Sequence, residues 1–222
     1  MAKEKLKKVS LTKEVKAAIV VSLLAIFLFG GIMIFSNRSE MDQTVVNPGD
    51  DTSGDIPNDG GNQDTPQNPV VVEEKLLKPF NINAKVERYY FDITDTPEIQ
   101  ELSIVDYKGK FTPSFAMEYT YNNSKFDVVA AFSGVVTERK VDPLYGYMIY
   151  IKNDKGLTAV YGSLSDVAVN VGDNVKQGDI IAKAGSNAID AGLNNHLHFT
   201  LMKNGKTINP NKYFNQFLKD IG

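Results

Sequence analysis

The sequence predicts a mainly β protein: an antiparallel β-sandwich or open barrel with short helices, behind one N-terminal transmembrane helix. Three observations predict this. An uncharged run lies near the N-terminus, short β-rich segments follow one another at regular intervals after residue 126, and glycines stand between those segments, where tight turns are needed. The chain has 222 residues, enough for one medium domain plus appendages, and it contains no cysteine. The fold must therefore hold without disulfides.

Residues 17–35 carry no charge, and as a helix they would extend about 28 Å, close to the hydrocarbon thickness of a bilayer. They are predicted to form a transmembrane helix. A cleaved signal peptide is the alternative, but the apolar run is longer than usual and no small-x-small site follows Phe35. Six lysines lie in the leader, residues 1–16, so the N-terminus is expected in the cytoplasm and the rest of the chain outside.

Residues 36–70 are rich in Asn, Asp, Gly and Pro and contain scarcely any aliphatic side chains. Such a segment buries too little apolar surface to offset the entropy of ordering, so we expect a disordered acidic tether. The net charge of the whole chain is only −3, and the acidic residues of this segment contribute much of its negative charge. The basic and aromatic residues form no pattern that indicates nucleic-acid binding.

Residues 71–111 are predicted to form an N-terminal extension of the folded domain. Residues 86–93 favour a strand, and residues 94–98 favour the start of a short helix that continues to about Val105. The reason is Pro97, which suits the first helical position, preceded by the capping residue Thr96 and followed by the acid Glu98.

From residue 126 onward the pattern is almost entirely β. Strands are predicted at 126–136, 147–152 and 157–161, with a turn at 153–156, and short strands separated by glycines at 169–185. A further strand at 196–202 turns back across 203–206. Asn209 and Pro210 are predicted to cap and begin a final short helix, in which Tyr213, Phe214, Phe217 and Leu218 form an apolar face.

His196 and His198 are the only histidines in the chain, and they lie two residues apart on a predicted strand. Alternate strand residues share a face, so both imidazoles should point the same way. Such a pair can begin a zinc site, but a catalytic zinc needs about three protein ligands plus a water. The other interpretation is a polar pair in the mouth of a barrel, hydrogen-bonded to backbone or to Ser163.

Five motifs, in this order and spacing, resemble the LytM-type zinc endopeptidases of the M23 family, which cut peptidoglycan cross-links. The resemblance covers about residues 112–214 and assigns residues 112–222 to a LytM-type domain. The motifs are Val128-x-Ala130-x-x-x-Gly134-x-Val136, Val160-Tyr161-Gly162-Ser163-Leu164, Val171-Gly172-x-x-Val175-x-x-Gly178, His196-x-His198-Phe199 and Asn209-Pro210.

The resemblance implies a degenerate site. Active members hold zinc with a histidine and an aspartate ahead of the first core strand and with the second histidine of the H-x-H pair, while further histidines assist. Here His198 would take the ligand position and His196 the assisting one, but residues 112–123 contain no histidine and Ser163 stands where another assisting histidine would be. Glu118 and Asp127 are candidate substitute carboxylates. We expect no catalytic residues and no bound zinc, with His196 and His198 as relicts of the family's site.

Leader, span, tether and domain together resemble docking proteins of endospore formation, which carry such a domain in the space between forespore and mother cell. The resemblance implies a single-pass forespore membrane protein that contacts the bilayer through its one span. It also implies a partner of the stage III sporulation AH type in the mother-cell membrane, met by β-augmentation at an open strand edge. The sequence does not decide which strands meet this partner or whether the domain assembles into a ring.

Two alternative functions stay open at this point. One is a zinc-dependent peptidoglycan endopeptidase with an unorthodox ligand set. The other is a module that binds peptidoglycan without cutting it or that activates a separate hydrolase, which adds peptidoglycan to the candidate partners.

Overall fold

The computed structural model describes residues 73–222. The predicted leader (1–16), transmembrane helix (17–35) and acidic tether (36–70) lie outside the described residues, and these three predictions stay predictions. Within the described part, no helix has the length and apolar character needed to cross a membrane.

Of the twelve strands in residues 73–222, ten form one antiparallel sheet and the other two form a separate hairpin. The mainly β, antiparallel fold predicted from the sequence is therefore confirmed. The main path of the sheet runs β1-β4-β11-β8-β7-β6-β9, with β10 joined to β5 and β8, and β12 joined to β11; β2 pairs with β3. The strands are β1 (Lys85–Arg88), β2 (Ile104–Tyr107), β3 (Lys110–Pro113), β4 (Met117–Thr120), β5 (Asp127–Val129), β6 (Gly134–Asp142), β7 (Gly146–Lys152), β8 (Leu157–Ser165), β9 (Asn174–Val175), β10 (Ile180–Ala184), β11 (His196–Lys203) and β12 (Lys206–Ile208).

The central strands β8 and β11 are buried on both faces along most of their length. Their sequences accordingly read as nearly continuous apolar runs rather than as alternating ones. Phe199 packs against Tyr161 with ring centroids 5.4 Å apart, and both side chains are fully buried. Burying an aromatic or aliphatic side chain of this size contributes about 1.5–3 kcal/mol. A polar side chain on these strands must therefore find a partner inside the protein.

The N-terminal extension differs from its prediction in two places. Strand β1 ends at Arg88 rather than at Ile93, because the amides of Tyr89 and Phe91 bond to loop carbonyls instead of to a strand. Helix α1 (Pro97–Glu101) begins as predicted at Pro97 but stops short of Val105. Val105 lies in β2, where it pairs with β3, so tertiary pairing ends the helix early. Thr96 occupies the N-cap position without a side-chain hydrogen bond.

The predicted C-terminal amphipathic helix is wrong. Two 3-10 helices, Pro210–Lys212 and Leu218–Asp220, stand in its place. Asn209 does cap the first of them, since its side chain accepts a hydrogen bond from the amide of Asn211. Between the two, Asn215 adopts a left-handed conformation and its amide bonds to the carbonyl of Leu76. The backbone that a helix would have used is bonded to the N-terminal segment.

Candidate functional site

The two histidines share one face of β11, as the sequence predicted, and both approach Glu118 of β4. His198 stands directly opposite Glu118 in the register, and its Nδ1 lies 2.5 Å from Oε1 of that carboxylate. Nε2 of His196 lies 3.8 Å from Oε2 of Glu118. Glu118 is only 1% exposed, so this carboxylate depends on its protein neighbours for stabilisation.

A β-bulge in β8 aims Ser163 at His196. The β7–β8 register shifts opposite Gly162 and Ser163, and Ser163 takes a positive φ of 59°. Bulges beside functional sites commonly redirect a side chain in this way. Gly162 in the same bulge leaves room for His198, because a Cβ there would lie 3.2 Å from the ring, which would then have to shift by a few tenths of an ångström.

His196 is held at both ring nitrogens. Its Nδ1 lies 2.8 Å from the carbonyl oxygen of Asn194, which can only accept, so Nδ1 carries a proton and donates. In the neutral ring, Nε2 then accepts from the Ser163 hydroxyl at 2.9 Å, and Ser163 accepts in turn from the Asn187 amide at 2.8 Å. Ser163 thus engages the lone pair through which His196 would bind a metal. The sequence predicts that the histidine pair bonds to backbone or to Ser163: His196 makes both contacts, whereas His198 bonds to Glu118.

Arg88 and Asp190 complete the cluster, and sequence reasoning identified neither. Arg88 lies opposite Glu118 in the β1–β4 register, with Nη2 at 2.6 Å from Oδ1 of Asp190 and Nη1 at 3.8 Å from Oε1 of Glu118. Burial lowers the pKa of Arg88, but the bond to Asp190 and the nearby carboxylates outweigh it and raise the pKa. The guanidinium is therefore always charged. A signal was present in the sequence: Arg88 alternates with Val86 and Tyr90 on one predicted strand face.

These side chains line a cavity of about 290 Å³ that opens beside β11. Arg88, Glu118 and His198 form a row across β1, β4 and β11, and Asp190 approaches from the loop before the 3-10 helix Ala191–Leu193. Tyr145 covers the ring of His198 at a centroid distance of 4.7 Å. The cavity lining therefore includes two carboxylates, one guanidinium and the imidazole of His198, whereas His196 is fully buried and does not line the cavity.

Asp127, the second candidate substitute carboxylate, does not belong to this cluster. Asp127 lies on β5, and its carboxylate pairs with Lys183 of β10 at 2.6 Å. Both side chains are about half exposed. Cross-strand pairing of β5 with β10 places Asp127 next to Lys183 rather than near the histidines.

The donor set does not fit the zinc ion that the family resemblance implies. Glu118, Asp190 and His196 do offer ligand atoms within 4.8 Å of one another, and Oε2 of Glu118 is buried without a hydrogen-bond partner among the described residues. However, Ser163 engages the lone pair of His196, and the guanidinium of Arg88 contacts Asp190 directly. A dication beside a buried guanidinium would be strongly repelled.

The stability of the domain is expected to fall as the pH rises above neutrality. Burial alone would lower the pKa of His198, but the charge of Glu118 and the bond to it raise the pKa above its ordinary value. The pair's contribution is therefore complete below the pKa of an unfolded histidine, about 6.5, and is lost as pH rises through the folded pKa. Charged or titratable groups facing His198 are Glu118, Asp190, Arg88, Asp142 and Tyr145.

Thermal melts between pH 5.5 and 9 would measure this effect. The melting temperature of the wild-type protein should drop by a few degrees across the range, and His198→Asn should flatten the profile. Identical profiles for the two proteins would contradict the expectation.

Comparison with known proteins assigns part of this chain to a protein family. The model of peptidase family M23 matches residues 115–210. The chain is similar to stage II sporulation protein Q of Bacillus subtilis (strain 168), with 31% identity over an alignment of 187 residues and coverage of 81% of this chain. The chain covers 65% of the length of that relative, slightly less than two thirds.

Two solved structures are similar in fold. One is a chain from the structure of the SpoIIQ–SpoIIIAH pore-forming complex, with a TM-score of 0.64, 31% identity and coverage of 67% of this chain and 96% of that one. The other is a zinc-containing peptidase from Vibrio cholerae, with a TM-score of 0.51 and 19% identity, covering 62% of this chain and 40% of that one. The second likeness concerns the fold alone.

Proposed function

Because this chain belongs to the family of stage II sporulation protein Q, we propose that it is a non-catalytic docking protein of endospore formation. The observation that carries this proposal is a peptidase fold in which the potential zinc-binding groups are bonded to other side chains of the same protein. Ser163 engages His196, His198 engages Glu118, and Arg88 engages Asp190. Because these groups are not available to bind zinc, the protein is expected to function through its outer surface rather than through a catalytic site.

The partner is a mother-cell membrane protein of the stage III sporulation AH type. The support is the solved complex of SpoIIQ with SpoIIIAH, whose matching chain is covered almost completely by this one. We further propose that the chain is a single-pass protein of the forespore membrane with a cytoplasmic N-terminus; the uncharged run at 17–35 and the lysines ahead of it support a span with this orientation, and the likeness to stage II sporulation protein Q supports the forespore membrane. The folded domain then lies in the space between the two membranes.

The outer edge of β6 is the surface we assign to this partner. Among residues 73–222, the part of β6 beyond Val136 pairs only with β7, because β9 pairs only with Gly134 and Val135. Six residues, 137–142, therefore leave one edge open to a further strand, whereas the edge strands β1 and β12 are four and three residues long. An open edge of this length recruits an extended segment through main-chain hydrogen bonds.

Two exposed apolar side chains lie at this edge. Val141 of β6 is 64% exposed, and its cross-strand neighbour Tyr147 of β7 is 47% exposed. Tyrosine is enriched at protein interfaces, where its ring buries a large area at low entropic cost. The pair would flank an added strand and contribute apolar contact beside the main-chain bonds.

Mixing the purified extracytoplasmic domains of this chain and of a stage III sporulation AH-type protein would test the proposal. We expect a complex of defined stoichiometry by size-exclusion chromatography with light scattering. Separate elution of the two domains at concentrations of about 100 μM would count against the proposal, since a specific interface of standard size binds far more tightly.

A further inference from the structure

Arg88 comes from outside the stretch that matches the peptidase family, which covers residues 115–210. Strand β1 carries it, and β1 joins the sheet by pairing with β4. The guanidinium thereby enters the cavity from the N-terminal extension, while its carboxylate partners Glu118 and Asp190 belong to the peptidase-like part. The only permanent positive charge in the cluster is thus supplied by the extension.

The two carboxylates depend on this charge. Their side chains are 1% and 4% exposed, and the side chain of Arg88 is 15% exposed, so solvent screens the three groups poorly. A carboxylate buried without a compensating charge costs several kcal/mol. A contact of 2.6 Å between Nη2 of Arg88 and Oδ1 of Asp190 is a short, charge-assisted hydrogen bond.

We infer that Arg88 serves as an internal cation in place of the metal ion of the fold. Its guanidinium neutralises Glu118 and Asp190, excludes divalent cations from the cluster and joins the N-terminal extension to the peptidase-like domain. A loss of metal ligands alone would leave a weakened site. Here the guanidinium of Arg88 supplies the positive charge that a metal ion would supply, so the metal-free state is the stable one.

Removing the guanidinium should expose a cation site. Glu118, Asp190 and His196 present ligand atoms within 4.8 Å of one another, which suits a single ion. Oε2 of Glu118 is buried and has no hydrogen-bond partner among residues 73–222, so one ligand atom is free already. An ion on Nε2 of His196 would require the Ser163 side chain to turn about χ1, because its oxygen lies 2.9 Å from that nitrogen, and this rotation becomes worthwhile only once the repelling guanidinium is gone. Two carboxylates and one imidazole form an ordinary donor set for zinc.

Arg88→Met in the full chain, purified in mild detergent, tests this inference. Methionine keeps much of the length of arginine without its charge. Melting temperatures would be recorded with EDTA and with about 100 μM zinc, and bound zinc would be counted by mass spectrometry after removal of free metal. We expect the wild-type protein to bind no stoichiometric zinc and to melt at the same temperature under both conditions.

The variant is expected to behave differently in both measurements. With EDTA it should melt about 10 °C below wild type, because it leaves two buried acids without their cation. With zinc it should bind about one ion per chain and recover part of the lost melting temperature. Arg139→Met is the matched control, because Arg139 bonds to Val169 and Asn170 at the sheet edge, away from the cavity. It should show no dependence on zinc.

Three outcomes would overturn the inference. They are stoichiometric zinc in the wild-type protein, an Arg88→Met variant as stable as wild type, and a destabilised Arg88→Met variant that gains no stability from zinc. The last result would mean that Arg88 serves packing alone.

Should Arg88→Met fail to fold, the double variant Arg88→Met/Asp190→Asn decides the question. It removes the cation together with its closest acid. A folded double variant supports the inference, since the uncompensated charge was then the cause, and an unfolded one contradicts it. Complex formation is not a readout here, so this test and the test of the proposed function can fail independently.

Discussion

Glu118→Ala is expected to lower the melting temperature of the folded domain by about 10 °C, which corresponds to roughly 3–5 kcal/mol of unfolding free energy. Glu118 is the acid that Arg88, His196 and His198 share. Its removal leaves the imidazole of His198 without its 2.5 Å partner and the guanidinium of Arg88 with one acid instead of two. It also opens a cavity inside the sheet, which adds to the cost.

Two further variants separate charge from packing. Glu118→Gln preserves shape and one acceptor oxygen but removes the charge, so it should lose less stability than the alanine variant. Asp127→Ala is the matched control, because it removes an acid from an exposed pair with Lys183, and such pairs contribute about 0–1 kcal/mol. Thermal melts by circular dichroism would compare the three. Equal losses for Glu118→Ala and Asp127→Ala would refute the structural role given to Glu118.

The sequence predicted the parts of the site that lie on one strand. Alternation along β11 places His196 and His198 on the same face, and that geometry follows from local backbone periodicity alone. The contact between His196 and Ser163 could be proposed because the family's spacing aligns the two segments. The first inference depends only on alternation within one strand, and the second depends only on the order of motifs in the family. Neither requires knowledge of the register between distant strands.

The acidic and basic partners could not be found in this way. Arg88 reaches Glu118 only through the β1–β4 register, and Asp190 arrives on an irregular loop before a 3-10 helix. The alternation of Arg88 with Val86 and Tyr90 indicates a strand face but does not specify the partner of Arg88, and no local pattern specifies the position of Asp190. A count of candidate metal ligands includes only acids and histidines, so it cannot identify an arginine as the cation of the cluster. Asp127 shows the same limit, since its pairing with Lys183 depends on the β5–β10 register.

The early end of α1 and the missing C-terminal helix have a common cause. Both segments carry good helix-start signals, at Pro97 and at Pro210, and both do begin helical turns there. Their continuation depends on competition for backbone hydrogen bonds. Val105 bonds within the β2–β3 hairpin, and Asn215 bonds to Leu76, so long-range pairing outweighs local propensity.

Proline substitutions in β6 are expected to abolish partner binding selectively. Successive amides of a strand point to opposite edges, so one of Lys140 and Val141 directs its N–H to β7 and the other directs it outward. Both residues pair with β7 in the register. Proline removes the donor at its own position, and at an outward position it disturbs no hydrogen bond of the domain itself.

We therefore expect Lys140→Pro and Val141→Pro to differ from each other. One should melt close to wild type and yet weaken the complex at least 100-fold, because an added strand loses a main-chain bond and meets the proline ring. The other should lose several degrees of melting temperature, because a bond to β7 is broken. Lys140→Thr and Val141→Thr keep the amides and serve as controls that should bind the partner within a few-fold of wild type. Isothermal titration with the stage III sporulation AH-type domain would measure all four affinities. If the stable proline variant bound as tightly as its threonine control, the open edge of β6 would not be the docking surface, and the partner would have to be sought at β1 or β12.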